Sequence, residues 1–238
     1  MVRRVVSAAK PETAEGLQHH LRLKPGDVSR YVLLPGDPDR VAKITKFWDE
    51  AKAVARNREF VTHTGFYGGV RVSACSTGIG CPAAAIAVEE LANIGVDTFI
   101  RVGSTGSIRE GCKCGDLVIS TGAVRLEGTS KQYVRIEYPA LASYDVVSAL
   151  VEAADGLGYC YHVGITASTD SFYCGQGRQG FKGYWQSWIN DLIPDLSAAN
   201  VINFEMEAAA VFTLANLFGL RAGAVCTVFA NRITDEFN

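Results

Sequence analysis

From Tyr31 onward, short apolar runs ended by glycine or proline alternate with stretches whose apolar residues recur at helical spacing. That alternation marks an α/β chain, in which the strands of a sheet are joined through covering helices. Tyr31–Leu34 reads as a buried strand stopped by Pro35-Gly36. Val70–Cys75 reads as a second strand, leading into the turn Ser76-Thr77-Gly78-Ile79-Gly80. A helix is predicted from Pro82, where proline suits the first turn, with Ile86, Leu91 and Ile94 at near-helical spacing and Gly95 as its stop. Thr98–Val102 reads as a central strand running into a glycine-flanked turn, Gly103-Ser104-Thr105-Gly106. Strands are predicted at Leu117–Ser120, Ala123–Arg125, His162–Ser168 and Ala222–Phe229, and helices at Tyr144–Ala154 and Met206–Phe218. No repeat, low-complexity stretch or linker interrupts this order. The expectation is one three-layer α/β/α domain over residues 1–238, with residues 1–15 as a flexible N-terminal arm.

Composition narrows the function classes. The 23 basic and 25 acidic residues leave a net charge of −2, without the basic stripe that a nucleic-acid partner needs. No apolar run reaches the ~18–20 residues of a membrane helix, and the apolar stretch near Val5-Val6 is too short for a signal peptide, so a cytoplasmic address is expected. The seven cysteines are odd in number and scattered, which argues against a disulfide framework and for reduced core residues. Cys112-Lys113-Cys114 has one residue between its thiols and no second pair, a poor spacing for zinc.

Four segments carry candidate chemistry. In Pro35-Gly36-Asp37-Pro38-Asp39-Arg40 the side-chain-free Gly36 lets a backbone amide approach an oxyanion, and Arg40 can bring a guanidinium to the same point. Arg101 and Ser104 place a charge and a hydroxyl at the end of a strand, where α/β sheets commonly bind ligands. The glycines around Ser104 do not fit a dinucleotide fingerprint. Gln176 and Arg178 offer an amide and a guanidinium to the polar edge of a flat base, with Phe172 available for stacking. Glu207 can accept from a pair of sugar hydroxyls while Met206 covers the sugar's apolar face. Taken singly, each segment also has an ordinary structural explanation: a tight turn, a strand-end turn, a polar loop, or acidic residues favoured by a helix dipole.

Their order changes that balance. LLPGDPDRVAKI (33–44), CSTGIGCPAAAIAVEEL (75–91), FIRVGSTGSI (99–108), TDSFYCGQGR (169–178) and NFEMEAAAVFTLA (203–215) resemble the nucleoside phosphorylase family that contains the purine and uridine phosphorylases, and within it the uridine-cleaving members. The resemblance runs from about Gly16 to Arg232. It implies a mixed sheet partly closed into a barrel, and phosphate binding by Gly36, Arg40, Arg101 and Ser104, the last standing where the family has threonine. It implies ribose binding by Thr105, Met206 and Glu207, and base binding by Phe172, Gln176 and Arg178. Arg58 and His20 match residues that reach into a neighbouring subunit's site, so a homo-oligomer, a dimer or a hexamer of dimers, is implied. Two departures stand out. The stretch from Arg178 to Tyr184 is shorter than in relatives, and Ala83 replaces a serine that joins the counterpart of Glu59 at an interface cation, so no metal is expected.

The implied reaction is reversible phosphorolysis of uridine to uracil and ribose 1-phosphate, with phosphate as co-substrate and no other cofactor. Arg101, Gln176, Arg178 and Glu207 would carry the catalysis by positioning and charge complementarity. A purine nucleoside phosphorylase would share the phosphate residues. Against it stand the Gln176/Arg178 pair and Asn231-Arg232, near where purine-specific relatives place an aspartate. A nucleosidase should lack phosphate arginines such as Arg40 and Arg101. A non-catalytic nucleoside-binding protein would bind uridine without turnover.

Overall fold

In the computed structural model, which describes residues 7–238, the apolar runs form strands and the helical stretches pack beside them in two compact units. The first comprises the chain up to Ile79 together with Ala83–Ile100, and the second Gly80–Pro82 together with Arg101–Asn238. Residues 1–6 of the predicted arm lie outside the described residues. Residues 7–18 form turns, with a bridge between Glu12 and Gln18.

In the first unit β1 (Tyr31–Pro35) runs parallel to β4 (Val70–Cys75), which pairs antiparallel with β3 (Phe60–Tyr67), and β3 with β2 (Glu50–Asn57). The sequence reading did not contain β2 and β3, because their apolar residues are interleaved with Thr62, His63 and Thr64, which lie within the sheet. Helix α1 (Pro38–Thr45) begins as its residues dictate. Asp37 accepts from the N–H of Asp39 at 2.9 Å, and Pro38 occupies the first turn. Val41 then packs on Val61 and Ala74. Most of α2 (Cys81–Asn93) also belongs to this unit.

Strand β5 (Thr98–Ser107) continues into the second unit. There β10 (Arg221–Asn231), β6 (Leu117–Arg125), β8 (Tyr161–Ser168), β9 (Val201–Glu205) and β5 pair in that order, and β5 also pairs with β10. Five strands thus close on themselves, which removes their free edges. Pairing is parallel for β6–β8 and β8–β9 and antiparallel for β10–β6 and β5–β9, so the sheet is mixed as expected. Strand β7 (Ala140–Leu141) extends β6, and β11 (Glu236–Phe237) extends β10. Helix α3 (Tyr144–Leu157) lies on β10, with Val146 against Gly223, and α4 (Ile189–Ala198) packs Leu192, Ile193 and Leu196 on Ile108, Val201 and Phe204. Helix α5 (Ala208–Leu217) is buried along nearly its whole length.

Three expectations are corrected here. Gly103–Gly106 is not a turn, because β5 stays extended to Ser107. Gly103 serves close approach instead, since a Cβ there would meet Arg101 Nη2 at 2.9 Å and Cys226 Sγ at 3.0 Å. The two short strands at 117–125 are one, β6, with a register shift between Ser120 and Gly122. The last apolar helix starts at Ala208 rather than Met206, because Asn203–Glu205 complete β9 beside β8. The cysteines are all free as expected, with Cys75, Cys81, Cys112 and Cys226 buried, but Cys160 is exposed. Among the described residues no helix is long and apolar enough to cross a membrane.

The hairpin β2–β3 yields a stability test. A Cβ on Gly65 would overlap the carbonyl oxygen of Glu50 and lie 2.8 Å from Cα of Ala51, backbone that cannot rotate away. Gly65→Ala is expected to destabilise by ~1–3 kcal/mol, as overpacking does. Gly156→Ala in α3 meets nothing within 4 Å and should instead stabilise by ~0.5–1 kcal/mol. Thermal denaturation of the two variants should move in opposite directions.

Candidate active site

Two parallel strands, β8 and β9, end side by side at Ser168 and Glu205. Strand β5 runs antiparallel to β9 with Gly106 opposite Phe204, so Arg101, five residues earlier, passes the end of β9 and reaches the start of α5. The carboxyl ends of β8 and β9 are where an α/β sheet ordinarily places its ligands.

Charged side chains meet there, all of them buried. Arg101 Nε donates to Glu205 Oε2 at 3.3 Å, and its Nη2 is in close ionic contact with Glu207 Oε2, without the alignment of a hydrogen bond. Glu207 Oε1 accepts from the N–H of Gly80 at 2.6 Å. The third nitrogen of the guanidinium, Nη1, is buried and has no hydrogen-bond partner. Burial is the largest influence and works against the charge on Arg101, but Glu207, Cys226 and Glu205 together outweigh it and hold the guanidinium protonated beyond its ordinary range. Burial pushes the Glu207 carboxyl up, with Arg101 pulling the other way. Beside them, burial raises the Cys226 thiol to about 12, so this sulfur is inert.

Glu205 is the residue that sequence reasoning passed over. Its Oε2 also accepts from the N–H groups of Glu207 and Ala208 at 2.8 and 2.9 Å, and its Oε1 accepts from the hydroxyl of Ser168. It therefore caps the first turn of α5, the ordinary role expected of acidic residues in this segment. Arg101, expected at the end of a strand, and Ser104, expected on the turn after it, lie three residues apart in one extended strand, Arg101 buried and Ser104 half-buried. Thr105 is buried, and its hydroxyl is engaged on both sides. It donates to the carbonyl of Phe204 at 2.5 Å and accepts from Asn203 Nδ2 at 2.6 Å. The carbonyl of Met206 accepts from the Cys81 thiol at 3.2 Å.

A second cluster follows along the chain from Thr169, whose N–H donates to the carbonyl of Glu205 at 3.1 Å. Gln176 is buried, its Oε1 accepting from Arg178 Nη1 at 2.8 Å and its Nε2 facing Thr169 Oγ1 at 3.4 Å. Because a guanidinium can only donate, the amide oxygen must be the atom that faces Arg178. Arg232 donates to the carbonyls of Gln176 and Gly177 at 2.6 and 2.9 Å and so fixes the turn that carries them. Gly106 leaves the space beside both arginines, with Arg178 Nη2 and Arg232 Cγ 3.8 and 3.9 Å from where its Cβ would be. Burial, and then the charge of Arg232, lower Arg178 to about 10. Phe172, expected to stack on a base, carries the Arg178 guanidinium 4.1 Å from its ring centre. Asn231 is saturated by the carbonyls of Arg109 and Cys112 and the N–H groups of Ile233 and Thr234, leaving its neighbour Arg232 as the residue that meets the cluster.

The other predicted site residues lie in the first unit. The carbonyl of Gly36 accepts from the N–H of Gly78 at 2.9 Å, and Arg40, in the first turn of α1, has its Nε 3.9 Å from Asp37. Arg58 sits exposed in the two-residue turn between β2 and β3 at φ 55°, a left-handed conformation costly for a side-chain-bearing residue. Beside it the Glu59 side chain packs on Gly78. Glu90 holds His20 through Nδ1 at 2.6 Å and through the backbone N–H at 3.0 Å, so Nε2 is the ring nitrogen that Glu90 does not engage. Two sets of potential metal donors occur among the described residues, Cys112/Asp116/His162 and Cys81/Glu127/Asp170, neither containing Glu59. Their polar atoms already bond within the protein, His162 to Asp116 at 2.9 Å and Asp170 to the N–H of Gly128 at 2.8 Å.

Known proteins share this arrangement of segments. The chain is 64% identical over 237 residues, all of its length and 86% of the relative's, to a uridine phosphorylase of Thermococcus kodakarensis. It is 42% identical to a uridine phosphorylase of Escherichia coli, over 91% of this chain and 87% of that one. A guanosine phosphorylase of Halorubrum lacusprofundi is 44% identical over 91% of this chain and 84% of its own. Residues 30–238 match the Phosphorylase superfamily, and the chain belongs to that family.

Proposed function

We propose that this enzyme cleaves uridine with phosphate, reversibly, to uracil and ribose 1-phosphate. The observation that carries the reading is the Gln176/Arg178/Arg232 cluster, set beside Glu205 and its partners by Thr169 on a chain of this family. With Oε1 turned to Arg178, the amide of Gln176 keeps one lone pair and one N–H for a ligand. That acceptor and donor, next to each other, match the adjacent N3–H and C=O of uracil. Arg178 is suited to the remaining carbonyl.

In the proposed reaction the C1′–N1 bond stretches first. Its electron pair passes to the uracil ring, whose carbonyl oxygens gain negative charge beside Arg178 and Gln176. Positive charge builds at C1′ and is met by phosphate, one oxygen of which then forms the bond to C1′. The buried, unpartnered Nη1 of Arg101 supports a phosphate role for that residue, because a donor in such a place calls for an acceptor. Glu207 is assigned to the ribose 2′- and 3′-hydroxyls and Met206 to the sugar's apolar face. The saturated hydroxyl of Thr105 suits it to shaping that wall rather than to bonding the sugar. Gly36, Arg40 and Ser104 are proposed as further phosphate ligands, and Phe172 as an apolar neighbour of the base. No metal or cofactor enters the scheme.

His20 and Arg58 are proposed to serve the site of a neighbouring copy, so the working unit is a homo-oligomer. The exposure of Arg58 at the tip of its hairpin supports a role outside its own chain.

Uridine should lose its absorbance only when phosphate is present, and far faster than inosine or guanosine do. A purine would leave the Gln176 and Arg178 groups unmatched at ~1–3 kcal/mol each. Comparable turnover of guanosine would overturn the base assignment. Arg101→Ala should cost on the order of 10²–10³ in turnover and, by leaving Glu205 and Glu207 buried without their cation, should also lower the thermal midpoint; near-normal turnover at saturating phosphate would place the phosphate site elsewhere. Mixing Arg58→Ala with Arg101→Ala subunits should regenerate activity in verified hybrids, whereas sites completed within one chain would give none.

A further inference from the structure

The bonding of Glu205 exceeds what a helix cap requires. One oxygen, Oε2, takes three donors at once: Arg101 Nε at 3.3 Å and the N–H groups of Glu207 and Ala208 at 2.8 and 2.9 Å. The other, Oε1, takes the Ser168 hydroxyl, and Ser168 Oγ in turn accepts from the N–H of Ala209 at 2.9 Å. The carboxylate is fully buried, and its partners come from the end of β8, the middle of β5 and the first turn of α5. A cap needs an acceptor but no charge. Here the charge faces a buried guanidinium.

We propose that Glu205 is a positioning residue that keeps Arg101 open to an anion and Glu207 open to the sugar. The proposal rests on the reading of Arg101 as a phosphate ligand. Holding the Nε edge of the guanidinium splits its outer nitrogens, with Nη2 on Glu207 and Nη1 left without a partner. Holding the N–H of Glu207 fixes the backbone from which the sugar carboxylate projects. If the charge at Glu205 is removed, Glu207 is the sole carboxylate facing Arg101. A guanidinium and a carboxylate left to each other close into a two-bond fork, which consumes both outer nitrogens and both carboxylate oxygens. Phosphate then has to break that fork before it binds. Glu205 acts against this collapse by sharing the cation.

Glu205→Gln separates the charge from the cap. The amide oxygen can take the place of Oε2 and keep its three donors. The amide nitrogen can donate to Ser168 Oγ, reversing that one bond. The test is phosphate affinity by titration calorimetry on the full chain for four proteins: unmodified, Glu205→Gln, Arg101→Lys, and both together. Glu205→Gln should weaken phosphate binding about tenfold or more when Arg101 is present and less than about twofold in the Arg101→Lys background, with little change in thermal midpoint. This is the non-additivity of a residue that acts through its neighbour. Equal losses in the two backgrounds, or no loss with Arg101 intact, would overturn the proposal. Unchanged phosphate affinity in the single variant Arg101→Lys would overturn it by a different route, by removing the phosphate reading beneath it. Because the readout is binding, it holds whichever nucleoside the enzyme cleaves.

Discussion

A buried guanidinium shared by two buried carboxylates is the constraint around which the rest of the second unit is arranged. Taking Arg101, Glu205 and Glu207 out of water is costly, and their mutual attraction offsets the cost only if geometry and hydrogen bonds are nearly complete. Completion draws in four other groups: the N–H of Gly80, the first turn of α5, the Ser168 hydroxyl and the strand β9 that presents Glu205. Each fixes one element against another. Two atoms of the cluster, the donor Arg101 Nη1 and the acceptor Glu207 Oε2, are nevertheless left without a hydrogen-bond partner. That deficit, more than the presence of arginine, is what supports the proposed reading of Arg101 as an anion ligand.

Closing five strands makes the convergence possible. In an open sheet, Arg101 on β5 would be free of β10. In the closed one, the absence of a Cβ on Gly103 lets the guanidinium lie back along its own strand beside Cys226 of β10. Gly103, one of the two glycines that suggested a turn, therefore has a packing explanation: it is a gap in a strand, filled by an arginine held close to the backbone. At Gly106 a Cβ would meet Arg178 and Arg232 only at ordinary contact distance.

Much of this was legible in the residues. Long apolar helices and strands ended by glycine or proline follow local rules that the structure obeys, whereas the short helix α1 was not among the expected elements although Asp37 and Pro38 start it by ordinary capping. The β2–β3 hairpin did not stand out, since its alternation is carried partly by threonine and histidine. Glu205 was hidden for a different reason. In Asn203-Phe204-Glu205-Met206-Glu207, two carboxylates two residues apart look equivalent, and only the end of β9 between them gives one the N–H groups of the first turn of α5 and the other the N–H of Gly80. Arg232 was noticed only as part of Asn231-Arg232, near where purine-specific relatives place an aspartate. Its grip on the carbonyls of Gln176 and Gly177 depends on a contact 56 residues away in sequence, which no local pattern encodes.

In the proposed reading, base choice and phosphate chemistry fall to different parts of the molecule. The relative that cleaves guanosine has 44% identity over nearly the whole chain, so a shared scaffold does not by itself dictate the base. In this chain the groups that can dictate it sit on one short turn, Cys174–Gln176, with Arg178 just beyond it, and the turn is held from outside by Arg232. The orientation of a single amide decides what that turn can recognise. A donor-only guanidinium forces the oxygen of Gln176 toward Arg178, the nitrogen is left toward Thr169, and the remaining donor and acceptor lie side by side. A carboxylate in place of Gln176 would present only acceptors to the same position, and a second guanidinium only donors. Neither could meet a ring that offers N–H and C=O next to each other, whereas the amide, with its orientation imposed by Arg178, meets both.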